Sequence, residues 1–220
     1  MTLKPAILFD LDGTLADTLP DLAASTNHVR QLHGLDAVEL AIVRTFIGDG
    51  IRSLLRRALA EIQADEATTE AAFLSYSEHH REQCTRHARL FPGVPEHLEQ
   101  LRQAGHPIAV VTNKPEQFAV PVARHLGLHD FTSVIVGGDT LPTKKPDPAM
   151  LRHALEQLGC ATGADQLERV TMVGDGLQDL RSGKRLGART TACLFGYGDA
   201  QALRTEGADV FWQAFGKPVR

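Results

Sequence analysis

Short apolar runs that end in polar residues recur along this chain, and they constrain its fold more than any other feature. They lie at residues 6–9, 108–111, 134–136, 170–173 and 190–194. Helix-length amphipathic segments at 95–104, 117–126, 148–158 and 177–186 separate the later runs. Continuous apolar strands that alternate with helices are typical of a parallel sheet covered on both faces. The sequence therefore predicts an α/β fold with a Rossmann-like parallel-sheet core.

One region breaks this alternation. Residues 19–90 contain no convincing strand and are predicted to form helices at 21–33, 38–45, 51–62 and 70–87. Within the third of these, Leu54, Leu55 and Leu59 have helical spacing. A segment of this length is expected to form its own small bundle. We therefore predict an α-helical domain at 19–90, inserted into a core that is built from residues 1–18 and 91–220.

Composition excludes several classes of protein. The chain has 220 residues, 43% of them hydrophobic, and a net charge of −4 without a long run of one sign, which disfavours a nucleic-acid-binding protein. No stretch approaches the ~18 apolar residues of a membrane span, and the first apolar run is too short for a signal peptide. Cytoplasmic localisation is therefore expected. Cys84, Cys160 and Cys193 are far apart in sequence, which predicts free thiols.

Polar side chains follow the apolar runs. Asp10 and Asp12 follow the first run, Thr112 and Asn113 the second and Asp175 the fourth, with Lys144 and Lys145 before that fourth run. The carboxyl ends of parallel strands share one edge of the sheet, and ligands bind there. Clustered carboxylates repel one another, and their oxygens suit Mg²⁺. The hydroxyl of Thr112, the amide of Asn113 and a lysine would then donate to phosphoryl oxygens.

The segment DLDGT, at residues 10–14, carries the most specific part of this pattern. Alternation along an extended chain puts Asp10 and Asp12 on the same side, within reach of one phosphoryl group. Gly13 allows a sharp turn directly after them. Taken alone, the segment is also a common turn composition, and Thr112 is equally compatible with a helix N-cap.

Four segments in this order, DLDGT, VVTNK, KKPDP and VGDG, resemble the haloacid dehalogenase superfamily of phosphotransferases. The resemblance implies that Asp10 is a nucleophile that forms an aspartyl-phosphate. It implies that Asp12 protonates the leaving oxygen and then acts as a base for the attacking water. Thr112 would hold the phosphate, and Lys145 would orient the nucleophile and neutralise charge.

The same resemblance implies a Mg²⁺ site. Its ligands would be Asp10, the backbone carbonyl of Asp12, and Asp175, with Asp179 supporting the metal or its waters. Two positions depart from the family pattern, because Gly176 stands where Ser or Thr is usual and Gln178 where Asn is common. The expected cost is at most a weaker affinity for the metal.

The inserted helices resemble the mobile cap of this superfamily, and the GxGxR pattern inside FIGDGIR is similar to that of bacterial phosphoglycolate phosphatases. On this resemblance Gly48 and Gly50 contact the substrate, and Arg52 pairs with a substrate carboxylate. The alternative remains open that the two glycines only form a turn and that Arg52 is a solvated charge. Lys144 is interpreted as a solvated loop charge.

The expected function is a Mg²⁺-dependent phosphatase for a small phosphorylated metabolite, most specifically 2-phosphoglycolate. The partner is expected to be this metabolite alone, with no nucleic acid and no membrane, and the protein is expected to be a monomer or homodimer. Two alternatives stay open: a phosphatase for a sugar phosphate of the N-acetylmuramate 6-phosphate type, and a non-catalytic module that binds a phosphorylated ligand. Asp12 disfavours a dehalogenase, and the absence of lysine from residues 19–90 disfavours a phosphonate hydrolase.

Overall fold

A seven-stranded sheet runs through the computed structural model, which describes residues 4–219. The strands of the chain are β1 (Ile7–Phe9), β2 (Ala16–Asp17), β3 (Arg89–Leu90), β4 (Ile108–Val111), β5 (Ile135–Val136), β6 (Thr171–Gly174), β7 (Arg189–Cys193), β8 (Val210–Ala214) and β9 (Lys217–Val219). The order in the sheet is β5-β4-β1-β6-β7-β8-β9, and only the β8–β9 pair is antiparallel. The predicted α/β, Rossmann-like class is therefore confirmed.

Ten α-helices accompany these strands in the described part of the chain. They are α1 (Leu19–Leu32), α2 (Leu40–Arg44), α3 (Ile51–Ala58), α4 (Glu66–Gln83), α5 (Val94–Gln103), α6 (Glu116–His125), α7 (Ala149–Gln157), α8 (Ala164–Leu167), α9 (Leu177–Leu186) and α10 (Ala200–Glu206). No helix within residues 4–219 combines the length and the apolar character that spanning a membrane requires.

The central strand β1 is covered on both faces. Leu8 and Phe9 are fully buried, and they belong to different apolar clusters because successive side chains of a strand point to opposite faces. Phe9 packs in the cluster that contains Phe118, and Leu8 in the one that contains Met150. This two-sided burial explains why β1 reads as a continuous apolar run.

Residues 19–88, which contain helices α1 to α4 and are called the helical insertion below, lie between β2 and β3. These two strands pair in antiparallel fashion, with Ala16 opposite Leu90 and Asp17 opposite Arg89, so the chain leaves the core and returns to it side by side. The third helix is shorter than predicted: α3 ends at Ala58, and a 3₁₀ turn follows. Arg30 of α1 donates to the Ala58 carbonyl, which satisfies an acceptor left open at the end of α3.

Four short strands and two helices were not predicted from the sequence. Strands β8 and β9 extend the sheet on one side, and their residues are exposed or half-buried rather than continuously apolar. Helix α10 is also mostly exposed, and its N-cap is Asp199, whose side chain accepts from the backbone of Ala202. The cysteine prediction is confirmed, because all three thiols are free.

Candidate active site

Three buried carboxylates meet at the carboxyl edge of the sheet. Asp10 follows β1, Asp175 follows β6, and Asp179 lies in the first turn of α9. One oxygen of each lies within 4.8 Å of one oxygen of each of the others, as expected for side chains that could hold one metal ion. Asp179 is fully buried, so it is not the surface carboxylate that its place on a helix would allow.

Lys145 supplies the positive charge inside this cluster. Its Nζ lies 2.6 Å from Oδ1 of Asp179, 2.6 Å from the carbonyl of Val111 and 2.9 Å from Oδ1 of Asp10. Burial alone would lower the pKa of the Lys145 ammonium, but Asp10 and Asp179 raise it above its usual value. Lys145 is therefore charged and fixed between the two carboxylates.

The cluster holds more negative charge than Lys145 can balance. Burial, together with repulsion by Asp10 and Asp179, raises the pKa of Asp175 to about 7. Burial also raises the pKa of Asp179 to about 6, although Lys145 opposes this shift. Among residues 4–219, the buried Oδ1 of Asp10 has no hydrogen-bond partner beyond the ion pair with Lys145. An unbalanced set of oxygen donors of this kind fits a hard divalent cation.

Asp175 is fixed by its neighbours. The Thr14 hydroxyl donates to its Oδ1 at 2.7 Å, and the Tyr197 backbone N–H donates to its Oδ2 at 2.7 Å. Gly13 has a φ of +86°, and a Cβ at this position would lie 2.3 Å from Oδ2 of Asp175. The DLDGT segment therefore also shapes the wall around Asp175, and only glycine fits at position 13.

Asp12 lies outside the carboxylate cluster. Its Oδ1 accepts from the Thr18 hydroxyl at 2.6 Å, and both of its oxygens lie 3.1 Å from Nζ of Lys114. Sequence reasoning missed Lys114, a buried lysine directly after Thr112 and Asn113. The signal that could have found it is its place in the VVTNK segment, one residue beyond the predicted phosphate donors.

The two polar residues after β4 have different positions. Thr112 lines the cavity described below, and its hydroxyl accepts from the Lys114 backbone N–H at 3.2 Å. The Asn113 side chain accepts from the backbone N–H of Lys145 and donates to the backbone carbonyls of Lys145 and Gly48, all at 3.0 Å. Asn113 thus ties the Lys145 loop to the helical insertion, and its amide is already occupied.

A cavity of about 440 Å³ lies between the sheet edge and the helical insertion. The core contributes Asp10, Asp12 and Thr112 to its lining, and the insertion contributes Gly48 and Gly50. The two glycines have φ values of +125° and +85°, which glycine adopts far more readily than other residues. Their backbone conformation therefore favours glycine, and both residues also line the cavity. Their predicted positions at the substrate site are compatible with this geometry.

The structure does not bring Arg52 to this cavity. Its guanidinium makes two 2.8 Å hydrogen bonds to the Glu70 carboxylate and lies 3.9 Å from the centre of the Phe73 ring. Ile51 lines the cavity, and one further residue turns the helix by about 100°, which directs Arg52 away. A contact between Arg52 and substrate therefore has no geometric support here.

Lys144 is exposed, as expected for a loop residue, but it is not simply solvated. Its Nζ donates to the Asp49 backbone carbonyl at 2.5 Å, and burial of this end lowers its pKa. Together with Asn113, Lys144 holds the 48–50 loop of the insertion against the core.

Sequence reasoning also missed the loop Gly196-Tyr197-Gly198. The Tyr197 hydroxyl accepts from the backbone N–H groups of Thr18 and Leu19 at 2.7 and 2.9 Å and lies 3.1 Å from Oδ1 of Asp17, to which it donates. Added Cβ atoms at Gly196 and Gly198 would lie 2.3 and 1.9 Å from atoms of Asp175. An aromatic residue between two glycines directly after a predicted strand was the available signal.

The departure at Gly176 has a local explanation. A Cβ at this position would lie 2.0 Å from Nε2 of Gln178, so the missing side chain leaves room for the longer amide. Gln178 also approaches Gly48 and lines the cavity. The Gly176 N–H donates to Oδ2 of Asp179 at 2.9 Å, so this position still supports the carboxylate cluster.

Comparisons with known proteins agree with this geometry. The family model for haloacid dehalogenase-like hydrolases matches residues 7–193. The chain is 39% identical over 208 residues to a phosphoglycolate phosphatase of Chromobacterium violaceum, covering 93% of this chain and 90% of that protein. It is 38% identical over 197 residues to an N-acetylmuramic acid 6-phosphate phosphatase of Pseudomonas aeruginosa, covering 90% and 84% of the two chains.

A solved structure has the same fold. It is a predicted phosphoglycolate phosphatase from Haemophilus somnus, with a TM-score of 0.87 and 30% identity, and the match covers 98% of this chain and 96% of that one. Fold and site together define a hydrolase built on a Rossmann-like sheet, with a buried acidic cluster that could hold a divalent metal. The chain belongs to the haloacid dehalogenase-like hydrolase family.

Proposed function

We propose that this enzyme hydrolyses 2-phosphoglycolate to glycolate and phosphate, with Mg²⁺ and through an aspartyl-phosphate on Asp10. The observation that carries the proposal is the assembly of Asp10, Asp175, Asp179 and Lys145 into one buried cluster that opens onto a cavity. The substrate is taken from its relatives, since proteins named phosphoglycolate phosphatase match at 38–39% identity over most of the chain.

Asp10 is the nucleophile in this proposal. Nζ of Lys145 lies 2.9 Å from Oδ1 of Asp10 and orients this carboxylate, while Asp175 and Asp179 lie beside it. Attack by an oxygen of Asp10 on phosphorus breaks the bond to the glycolate oxygen and transfers the phosphoryl group to the enzyme. Mg²⁺, when bound by these three carboxylates, would neutralise charge on the phosphoryl oxygens.

Asp12 moves the proton. It lies outside the acidic cluster, and in its protonated form its carboxyl group would give its proton to the leaving oxygen of glycolate. The carboxylate formed in that step would then take a proton from the water that attacks the aspartyl-phosphate. Thr18 and Lys114 hold Asp12 in place at 2.6 and 3.1 Å. Thr112 lines the cavity, which supports a role for its hydroxyl as a donor to a phosphoryl oxygen.

A second candidate function is hydrolysis of N-acetylmuramate 6-phosphate. It is favoured by the size of the 440 Å³ cavity and by the relative of that name. A non-catalytic phosphate-binding module is disfavoured, because Asp10 and Asp12 are both present and both line the cavity.

The test is phosphate release from 2-phosphoglycolate, N-acetylmuramate 6-phosphate and simple sugar phosphates at saturating Mg²⁺. We expect kcat/KM for 2-phosphoglycolate to exceed the others at least tenfold, about 1.4 kcal/mol of discrimination. The variant Asp10→Asn should lose activity at least about 10⁴-fold, while Asp165→Asn, which changes an exposed carboxylate outside the cavity lining, should keep it. Unchanged function in Asp10→Asn would indicate a binding module instead.

A further inference from the structure

The cavity is larger than the proposed substrate requires. At the ~30 Å³ that a water molecule occupies in the liquid, the nine non-hydrogen atoms of 2-phosphoglycolate fill about 270 Å³. The cavity measures about 440 Å³. Mg²⁺ and the attacking water of the proposed reaction would take about 60 Å³ more at the same volume each, so space for a few further non-hydrogen atoms remains.

Apolar side chains from the insertion and from the core line the same cavity. Ile47, Ile51 and Leu54 of the helical insertion line the cavity from one side. Leu177 at the start of α9 and Ala202 in α10 line it from the core side. We call these five residues the apolar wall. They come from separate elements, and an apolar group placed between them would be removed from water.

Charge in the cavity argues against a second carboxylate as the occupant of this space. Lys114 and Arg181 are the positively charged side chains among the lining residues. Lys114 already faces the Asp12 carboxylate at 3.1 Å, and Arg181 pairs with Glu206 at 2.9 Å. Asp49 and Asp199 add negative charge to the lining. An uncharged, apolar group fits these surroundings better than another anion.

We infer that the enzyme also hydrolyses phosphate monoesters whose alcohol carries an uncharged apolar group, which the apolar wall binds. This inference rests on the proposed phosphatase function and extends it to a second class of substrate. The phosphate occupies the same place beside Asp10 and Thr112 for both classes. The apolar part replaces water between the insertion and α10, so transition-state binding increases with the apolar area buried.

The test is kcat/KM for a series of primary alkyl phosphates from ethyl to hexyl, measured by phosphate release with Mg²⁺ and with 2-phosphoglycolate as reference. Each buried methylene should raise kcat/KM by up to about fourfold until the cavity is filled. A flat or falling series, with 2-phosphoglycolate turned over normally, would overturn the inference and leave the proposed function intact.

Two matched variants test whether the increase of kcat/KM along the series depends on the apolar wall. Ala202→Phe fills the space at the apolar wall and should abolish the increase along the series. Ala200→Phe adds the same bulk to an exposed position of the same helix, outside the cavity lining, and should leave the increase unchanged. An increase that survives in Ala202→Phe would place the apolar contact elsewhere and overturn the assignment.

Measurements of binding affinity can test the apolar wall independently of the proposed hydrolysis. Alkylphosphonates from ethyl to hexyl resist hydrolysis, and their affinities can be measured by titration calorimetry with Mg²⁺ present. Affinity that increases with chain length in an enzyme that releases no phosphate would support the apolar wall and refute the phosphatase proposal. Affinity that does not depend on chain length would refute the apolar wall directly.

Discussion

The two sides of the cavity are built from different interactions. On the core side the charged groups are buried and paired, as for Lys145 between Asp10 and Asp179. On the side of the helical insertion, glycines and apolar side chains face the cavity, and the nearby ion pairs are exposed, as for Arg52 with Glu70. From this contrast we expect the buried charges of the core to determine the chemistry, and the apolar wall, which the insertion shares with the core, to determine which group is admitted.

The energetic consequences differ as strongly as the structures. Removing one partner of a buried ion pair leaves an uncompensated charge, which costs about 3–5 kcal/mol, whereas an exposed pair contributes about 0–1 kcal/mol. The losses of stability caused by substitutions on the two sides of the cavity should therefore fall into two separate ranges. The four predictions below test this difference, from the largest expected effect to the smallest.

The largest effect is expected from Lys145→Met. The change removes the only lysine within hydrogen-bond distance of Asp10 and Asp179 among residues 4–219. We expect kcat to fall at least about 10³-fold and the free energy of unfolding to fall by about 3–5 kcal/mol in urea. Lys184→Met, at an exposed position, is the control and should change stability by less than about 0.5 kcal/mol. Equal behaviour of the two variants would contradict the contrast.

The acidic cluster should make stability depend on pH and metal. Because the pKa values of Asp175 and Asp179 are raised to about 7 and about 6, the folded metal-free protein retains protons that the unfolded chain releases near pH 4. Its stability should therefore fall as the pH rises from about 4 through about 7. Bound Mg²⁺ favours the charged carboxylates, so the stabilisation by Mg²⁺ should grow to about 2–3 kcal/mol at pH 8.

This dependence is measured as the shift in Tm on adding Mg²⁺ at pH 5 and at pH 8, with NaCl at matched ionic strength as the control. Asp175→Asn should remove most of the shift at pH 8. A shift of the same size at both pH values would show that the cluster does not hold the metal.

A smaller effect is expected from two Tyr→Phe variants that remove the same atom. The Tyr197 hydroxyl makes three hydrogen bonds at the junction of core and insertion, and Tyr197→Phe should lower the free energy of unfolding by about 1–3 kcal/mol. The buried Tyr76 hydroxyl in α4 has no hydrogen-bond partner in the part of the chain that the structure describes, so Tyr76→Phe should be neutral or stabilising. Chemical denaturation distinguishes the two, and the reverse order would contradict the hydrogen-bond assignment.

The smallest effect is expected from Arg52→Ala. Because Arg52 pairs with Glu70 outside the cavity, kcat/KM for 2-phosphoglycolate should change by less than about threefold and stability by less than about 1 kcal/mol. Glu70→Ala should behave in the same way. A loss of 100-fold or more in Arg52→Ala alone would show that the arginine reaches the substrate during turnover, as the family resemblance implies.

The sequence predicted the parts of the fold that local patterns determine. All five predicted strands occur within one residue or so of their expected bounds, because strands buried on both faces are continuously apolar. Strands β8 and β9 escaped prediction because the edge of the sheet is only partly covered, so Val210 and its neighbours show no such pattern. Their places depend on tertiary contacts that no short window of sequence contains.

The candidate site, too, could be predicted only in part from the sequence. Asp10, Asp175 and Asp179 could be predicted to meet, since parallel strands place their carboxyl ends together. Lys114 and Tyr197 lie in segments that could have been singled out, but their partners could not have been named. No sequence pattern links Lys114 to Asp12 or Tyr197 to Thr18. The direction of Arg52 was also beyond the sequence, which showed a cation beside two glycines but not the competing carboxylate of Glu70.

The short pairing of β2 with β3 has a consequence for how such an enzyme can be altered. Since Ala16 lies opposite Leu90, the segment between them begins and ends at neighbouring points of the core. The entropy of closing a loop increases only slowly with its length, so this junction can accept segments of very different size. A chimaera that exchanges residues 19–88 for the corresponding segment of a relative should therefore fold around an unchanged sheet. Such an exchange would replace the insertion's part of the cavity lining as a single unit, leaving the acidic cluster and the core's part of the lining in place.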